Sequence, residues 1–274
     1  MILFPNCKIN LGLHILRKRQ DKFHDLETVF YPVPLQDALE IVSNDKTGKD
    51  ISIDITGLSI DGDEEQNICV KAYRLLKQDF PQLPFVKLHL HKVIPTGAGL
   101  GGGSADGAFT LLLLNGKFNL QLSEEDLIRY ALQLGSDCPF FIKNKACFAT
   151  GRGESLQPID LDLSSYKIVL VNPGIHVATG WAFSQLTPNE QRPSLLSAIL
   201  QPIATWKKAL TNDFEEPIFL KYPEIGQVKE ELYRQGAVYA SMSGSGSTVF
   251  GLFEKGTELN RENFSSSFFI QTIG

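Results

Sequence analysis

The stretch PTGAGLGGGSADG, Pro95 to Gly107, holds five glycines within the seven residues Gly97 to Gly103. Glycine enters backbone conformations closed to other residues and lets a main chain approach another group closely, at a cost in conformational entropy. A turn that merely packed a strand on a helix would need one or two. Before the run, FVKLHLHKVIP alternates Val86, Leu88 and Leu90 against Lys87, His89 and His91. This is a strand with one wet face, and both histidines read as solvent-facing. After the run, SADGAFTLLLLNGKF suits a buried helix. Strand, bare loop and helix in that order form an anion cradle: N–H groups turn inward and the helix adds its positive dipole end. The spacing points to a triphosphate.

Three familiar phosphate loops are poor matches. A P-loop needs a lysine near the end of the glycine run, and none lies between Val93 and Asn115. Gly97, Gly99 and Gly102 satisfy G-x-G-x-x-G, but a dinucleotide fold also needs an acidic strand end about twenty residues on. Here that place falls in LSEED, the start of another helix. A protein-kinase loop requires H-R-D and D-F-G downstream, and neither occurs.

The rest of the chain is compatible with a small-molecule enzyme. Its 274 residues can build two ordinary domains, and a net charge of -5 argues against a general nucleic-acid or anionic-membrane binder. Cys7, Cys69, Cys138 and Cys147 form no C-x-x-C pair, which fits a reducing cytoplasm. MILFPNCKIN lacks a secretion signal, FTLLLL is far short of a membrane span, and no H-E-x-x-H is present. The expectation is a cytoplasmic protein with small-molecule partners, no nucleic acid, no membrane and no structural zinc.

ALEIVSN and ISIDITG read as strands, and residues 64–80 as one helix stopping before Pro81. Ser123 caps SEEDLIRYALQLG, which ends at Gly135. ACFAT is a strand, and GRGESLQP a flexible approach to a domain boundary. YKIVLVNPG is a buried strand, followed by helical pieces at 179–186, 194–200 and 203–210. PEIGQVKEELYRQGA is a helix, and VYASMSGSGSTVFGLF gives strand, Gly/Ser loop, strand. Mixed order with antiparallel candidates predicts an α+β fold.

For chemistry at the phosphate, GSDCPFF places Asp137 in apolar company, where a carboxylate finds a cation or raises its pKa. FPNCKINLGL puts Lys8 inside an apolar strand-like run, with Asn10 on the same side two residues on. Spacing leaves both as candidates, since lone Asp and Lys residues usually lie on the surface.

Three blocks together resemble the GHMP kinases, small-molecule kinases that include galactokinase, homoserine kinase and mevalonate kinase. PTGAGLGGGSA resembles their phosphate loop, FPNCKINLGL their first motif and SMSGSGSTVFGLF their third. KINLGLHILRKRQDKFHDLETVF and GSDCPFF point to the branch whose acceptor is a cytidine diphosphate-linked methylerythritol. The resemblance implies a two-domain α+β architecture: an ATP-binding domain over 1–153 and a ferredoxin-like C-terminal domain over 154–274. It implies γ-phosphoryl transfer from ATP to the acceptor's 2-hydroxyl, with ATP and Mg2+ as cofactors, by a monomer or weak homodimer. Asp137 matches the family's base and Lys8 the cation that keeps it ionised. Pro95, Thr96, Gly97, Ala98, Gly99, Leu100, Gly101, Gly102, Gly103, Ser104 and Ala105 match the ATP loop. Asn10, Phe23, His24, Thr179 and Phe183 match substrate contacts, His24 reading the cytosine edge and Phe183 stacking on the ring. Phe23 stands where the family usually has tyrosine. Gly102 and Gly103 stand where other members place a magnesium-binding serine, so the metal's protein ligand is open. A homoserine or mevalonate kinase, or a non-catalytic nucleotide binder on the same fold, remain alternatives.

Overall fold

The computed structural model describes residues 1–43, 50–60 and 62–274; Asn44, the last residue of ALEIVSN, lies outside them. In chain order the elements are β1 (Ile2–Leu3), β2 (Asn6–Lys18), β3 (His24–Gln36), β4 (Ala38–Ser43), β5 (Ile51–Gly57), α1 (Ile68–Asp79), β6 (Val86–Lys92) and α2 (Gly102–Phe118). Then come α3 (Glu124–Leu134), α4 (Cys138–Lys143), β7 (Cys147–Thr150), β8 (Ser155–Pro158), β9 (Tyr166–Asn172), α5 (Thr179–Ser184) and α6 (Leu195–Ile199). The last are α7 (Trp206–Ala209), α8 (Glu215–Lys221), α9 (Pro223–Arg234), β10 (Tyr239–Met242), β11 (Val249–Glu254) and β12 (Phe269–Ile273). They gather into two units, each discontinuous in sequence. One comprises Met1–Cys7, Pro34–Thr96 and Gly101–Asn144, the other Lys8–Val33, Gly97–Leu100 and Lys145–Gly274.

The first unit carries a sheet in the order β1-β4-β6-β5, with β5 and β6 parallel and the other pairs antiparallel. Alternation along β6 buries Val86, Leu88 and Leu90 and leaves His89 half-buried and His91 exposed, as expected. Both imidazoles lie 3.0 Å from the Thr56 hydroxyl. The helix expected over 64–80 is divided. Asn67, at ψ 133°, accepts a hydrogen bond from the Cys69 N–H through its side chain and starts α1, leaving Glu64–Gln66 as a separate 3-10 turn. A side-chain acceptor at the N-cap outweighs the continuous apolar spacing. Ser123 caps α3 as predicted, in a reciprocal box with Asp126.

In the second unit, β2-β3-β7-β8 form one sheet and β10-β11-β9-β12 another. The stretch expected to be flexible, GRGESLQP, is a turn at 151–154 followed by β8, whose Leu156 and Gln157 pair with Ala149 and Phe148. Only its first half obeys the glycines. The second sheet is antiparallel throughout, and its order makes β12 and β9 neighbours on one side and β11 and β10 on the other. Numbering its strands by sequence gives 4-1-3-2, the ferredoxin-like arrangement. Val169, Val171, Ile218, Ile225, Leu232 and Phe253 are in the core beside it.

His14, on β2, is 3% exposed; its Nε2 lies 3.2 Å from the Thr211 hydroxyl and its Nδ1 has no partner among the described residues. Burial, aided by the Arg192 cation and opposed by Asp213, pulls the imidazole from 6.5 down to about 4. The unfolded chain takes up this proton first. The stabilisation is therefore present above the unfolded pKa and is lost as pH falls toward the folded one, by roughly 3 kcal/mol at most. Urea melts at pH 7 and pH 5 should show this loss, and His14→Gln should flatten it; an unchanged pH slope in the variant would clear His14.

Candidate active site

The centre of the glycine run, Gly97–Leu100, belongs to the second unit and is gripped there by both motifs that the resemblance singles out. The Lys8 N–H donates to the Leu100 carbonyl (2.9 Å), the Thr248 N–H to the Ala98 carbonyl (3.1 Å) and the Ser243 hydroxyl to the Gly99 carbonyl (2.7 Å). Three successive carbonyls are thereby spent on protein donors. Gly97, Gly99 and Gly101 have φ of 63°, 77° and 70°, in the left-handed region. Between them Ala98 and Leu100 bury their side chains. A Cβ on Gly99 would stand 2.0 Å from the Ser243 carbonyl oxygen. Gly99 therefore permits the close crossing of two loops, a need the bare run implied without naming its object.

Around the same point Lys8 and Asn10 lie side by side on β2, both buried. Lys8 Nζ donates to Asn10 Oδ1 at 2.5 Å and sits 4.9 Å from the Phe30 ring centre. Asn10 Nδ2 donates to the Thr28 hydroxyl (2.9 Å), and the Asn10 N–H donates to Ser243 Oγ (3.2 Å). The β-type period that placed Lys8 and Asn10 on one side is thus real. Thr28 and Ser243 complete the network; Thr28 carried no sequence signal of its own, and Ser243 was signalled only as part of SMSGSGSTVFGLF.

In the first unit the run passes into α2. Gly101 caps this helix without a side-chain bond, so its first-turn amides, at Gly102, Gly103 and Ser104, have no intrahelical acceptor, an arrangement suited to an anion with the helix dipole behind them. A Cβ on Gly103 would meet nothing. Beside it opens a pocket of about 380 Å³, lined by Ile53, Ile55, Ile60, Ile68, Asn67, Thr96, Gly103, Lys92 and Asp106 among others. An apolar wall with a few polar groups next to an anion cradle suits a nucleotide base and sugar. Sequence reading missed these isoleucines, because they come from β5, a loop and α1.

Under this pocket lies a charged cluster. Lys92 Nζ is 2.5 Å from Asp37 Oδ2 and 2.7 Å from Asp106 Oδ2, with all three side chains buried. Burial pushes the Asp106 carboxyl up to about 7, against the pull of Lys92. Burial draws the Lys92 ammonium down, but the two carboxylates outweigh it and hold its pKa above the ordinary value. A signal was available: Lys92 continues the buried phase of Val86, Leu88 and Leu90, and a cation on an apolar phase demands a partner.

Asp137, in the same unit, is the N-cap residue of α4 but makes no side-chain capping bond. Pro139, Phe140 and Phe141 behind it are buried. The neighbouring Cys138 thiol, hydrogen-bonded with Ser104, is pushed by burial up to about 12 and stays protonated.

The expected substrate contacts all fall in the second unit. His24 and Phe183 stack on each other, ring centres 4.9 Å apart and planes 20° apart, and Phe183 meets Phe214 edge-on. Burial, with the Lys18 charge, lowers the His24 pKa. Its neutral imidazole can donate from one nitrogen and accept at the other. Phe23 is 52% exposed, with the Arg152 guanidinium 4.8 Å from its ring centre. The Thr179 hydroxyl lies 3.2 Å from that of Ser245 in the Gly/Ser loop.

Comparison with known proteins gives the same direction. The family model for the GHMP kinases N terminal domain matches residues 67–145, and that for the GHMP kinases C terminal matches 195–262. The 4-diphosphocytidyl-2-C-methyl-D-erythritol kinase of Bacteroides fragilis is 53% identical over 272 residues, 99% of each chain. The enzyme of that name from Bacteroides thetaiotaomicron is 51% identical over 98% of each chain. A crystal structure of 4-(cytidine 5'-diphospho)-2C-methyl-D-erythritol kinase aligns with a TM-score of 0.77 at 33% identity, covering 92% of this chain and 90% of that one. The mevalonate kinase of Methanococcus jannaschii, at a TM-score of 0.71 and 15% identity over 99% and 97% of the two chains, shares the fold.

Proposed function

The chain belongs to the GHMP kinases, and from that premise we infer an ATP-dependent kinase that phosphorylates the 2-hydroxyl of 4-diphosphocytidyl-2-C-methyl-D-erythritol, in the non-mevalonate route to isoprenoid precursors. Its domains are taken as 1–153 and 154–274, each containing one of the two family matches. The observation that carries the phosphate side of this reading is the grip of Lys8, Ser243 and Thr248 on the glycine run. The acceptor side rests on 53% identity to a named relative, with the stacked His24–Phe183 pair as its pyrimidine platform. Those rings touch, so a cytosine takes the outer face of the stack or parts it.

Residues 95–105 would hold the triphosphate, with the α2 amides on its oxygens and the isoleucine-lined pocket on the adenosine part. Phosphoryl transfer asks the protein mainly for alignment and charge. Asp137 would orient the acceptor hydroxyl and accept its proton, and Lys8 would stabilise the charge that develops during transfer. Asn10 would hold the acceptor's polyol, Thr179 and Phe23 its cytidine diphosphate part. For magnesium, the side-chain oxygen donor at the start of α2 is the Ser104 hydroxyl. It is of the hard type that Mg2+ takes alongside nucleotide phosphates and water, so Ser104 would hold it together with them. When bound it supplies neutralisation of phosphate charge. A cytoplasmic location follows from the pathway, and no described helix is long and apolar enough to cross a membrane.

The direct test is magnesium-dependent ADP release with a panel of acceptors: 4-diphosphocytidyl-2-C-methyl-D-erythritol, mevalonate, homoserine and galactose. Turnover is expected with the cytidine compound alone. Turnover with another acceptor would keep the glycine cradle and discard the cytosine platform, and none with any would leave a nucleotide binder.

A further inference from the structure

Lys92 and Asp106 line the pocket given to the adenosine part, and the cluster they form with Asp37 also joins the two ends of the glycine run. Lys92 is the last residue of β6, and Asp37 Oδ1 accepts from the next two N–H groups, Val93 (2.6 Å) and Ile94 (2.8 Å), just before Pro95. Asp106 lies on α2 shortly after the run ends, and Lys92 Nζ reaches it at 2.7 Å. Gly102 is packed on this bridge: a Cβ there would come 3.1 Å from Lys92 Nζ and 2.8 Å from Ile94. The entrance of the run is therefore fixed by Asp37, its exit by Asp106, and one ammonium ties both.

Stability does not account for this arrangement. Burying three charges costs more solvation than the pairing readily returns, and apolar residues of the same shape often serve a core as well or better. Attraction for phosphate does not account for it either. Two carboxylates against one ammonium leave a deficit of positive charge beside an anion site, and Asp106 Oδ1 is buried without a hydrogen-bond partner among the described residues. What the cluster does provide is a set distance between strand and helix on either side of a loop that has almost no side chains of its own. We propose that Asp106, through Lys92 and Asp37, is a positioning residue that holds the two ends of the glycine run at the separation MgATP requires.

This rests on reading the run as the nucleotide's phosphate site, and the two ideas give opposite signs for one substitution. Asp106→Leu removes a negative charge and leaves Lys92 balanced by Asp37, so the fold should persist. If Asp106 acted only by its charge, MgATP would bind the variant more tightly. Positioning predicts weaker binding, about tenfold by calorimetry, given how steeply misplacement is felt at such sites. The KM for ATP should rise with it, while the acceptor KM stays within about twofold. Asp106→Asn, which returns an acceptor oxygen to Lys92, should restore most of the affinity. Unchanged or tighter MgATP binding in Asp106→Leu overturns the proposal, as does a parallel loss of kcat and stability that Asn does not rescue. If that variant fails to fold, Asp37→Asn, which keeps the oxygen facing the Val93 and Ile94 amides, is read the same way. Failure of both to fold would make the cluster a folding element and sink the idea. Wild-type protein that binds no MgATP would instead remove the nucleotide reading itself.

Discussion

Replacing Asp137 by Asn should lower kcat by two to four powers of ten, the usual worth of a positioned general base, while MgATP affinity stays within about twofold. The reasoning starts from shape. Asn has the volume of Asp and loses only the negative charge and the capacity to take a proton. The side chain makes no capping bond to α4, so the helix does not depend on the carboxylate. Pro139 and the buried Phe140 and Phe141 hold the turn in either case. Single-turnover quench-flow with saturating ATP and acceptor measures the chemical step directly. If that step runs at the wild-type rate, Asp137 is not the base and the acceptor hydroxyl loses its proton elsewhere.

Gly99→Ala should be the most damaging single methyl group in the phosphate loop. The residue has φ 77°, which costs an L-residue roughly 1–2 kcal/mol. Its new Cβ would stand 2.0 Å from the Ser243 carbonyl oxygen and 3.1 Å from that of Gly246. Both neighbours are backbone and cannot rotate away. The Gly/Ser loop must retreat, and the bonds from Ser243 to Gly99 and from Thr248 to Ala98 go with it. Expected together are a fall in melting temperature, weaker MgATP binding and a loss of turnover of about a hundredfold, a scale set by the sensitivity of such sites to 1 Å shifts. Gly103→Ala is the contrast. Its Cβ meets nothing in the protein, so stability should hold and only nucleotide binding should suffer. Equal melting temperatures for the Gly99 variant and wild type would show that the two loops do not need this crossing.

Legibility in the sequence followed the range of the physics. Capping and period act over a few residues, and so Ser123, the β6 alternation and the start of α9 at Pro223 were readable. Asn67 was the local exception, a cap hidden inside an apolar rhythm. β12 and the pairing of β8 with β7 were not foreseen, because edge partners are chosen in three dimensions. At the site, Lys8, Asn10 and the glycines stood out by residue type in an unusual setting. Thr28 and Asp37 are ordinary residues, made important by neighbours far away in sequence. The isoleucine wall was invisible for the same reason.

The interleaving of the two units also sets an order in time. During synthesis the β2–β3 hairpin leaves the ribosome early, yet Val29 and Phe30 pair with Phe148 and Cys147, which at roughly 5–20 residues per second emerge several seconds later. The first unit is complete once Asn144 is out. The second waits for almost the whole chain, since Ile168 pairs with Ile273 in β12. A nascent chain therefore holds an unpaired early hairpin while residues 34–144 fold, the interval in which chaperone capture or strand mispairing has its opening.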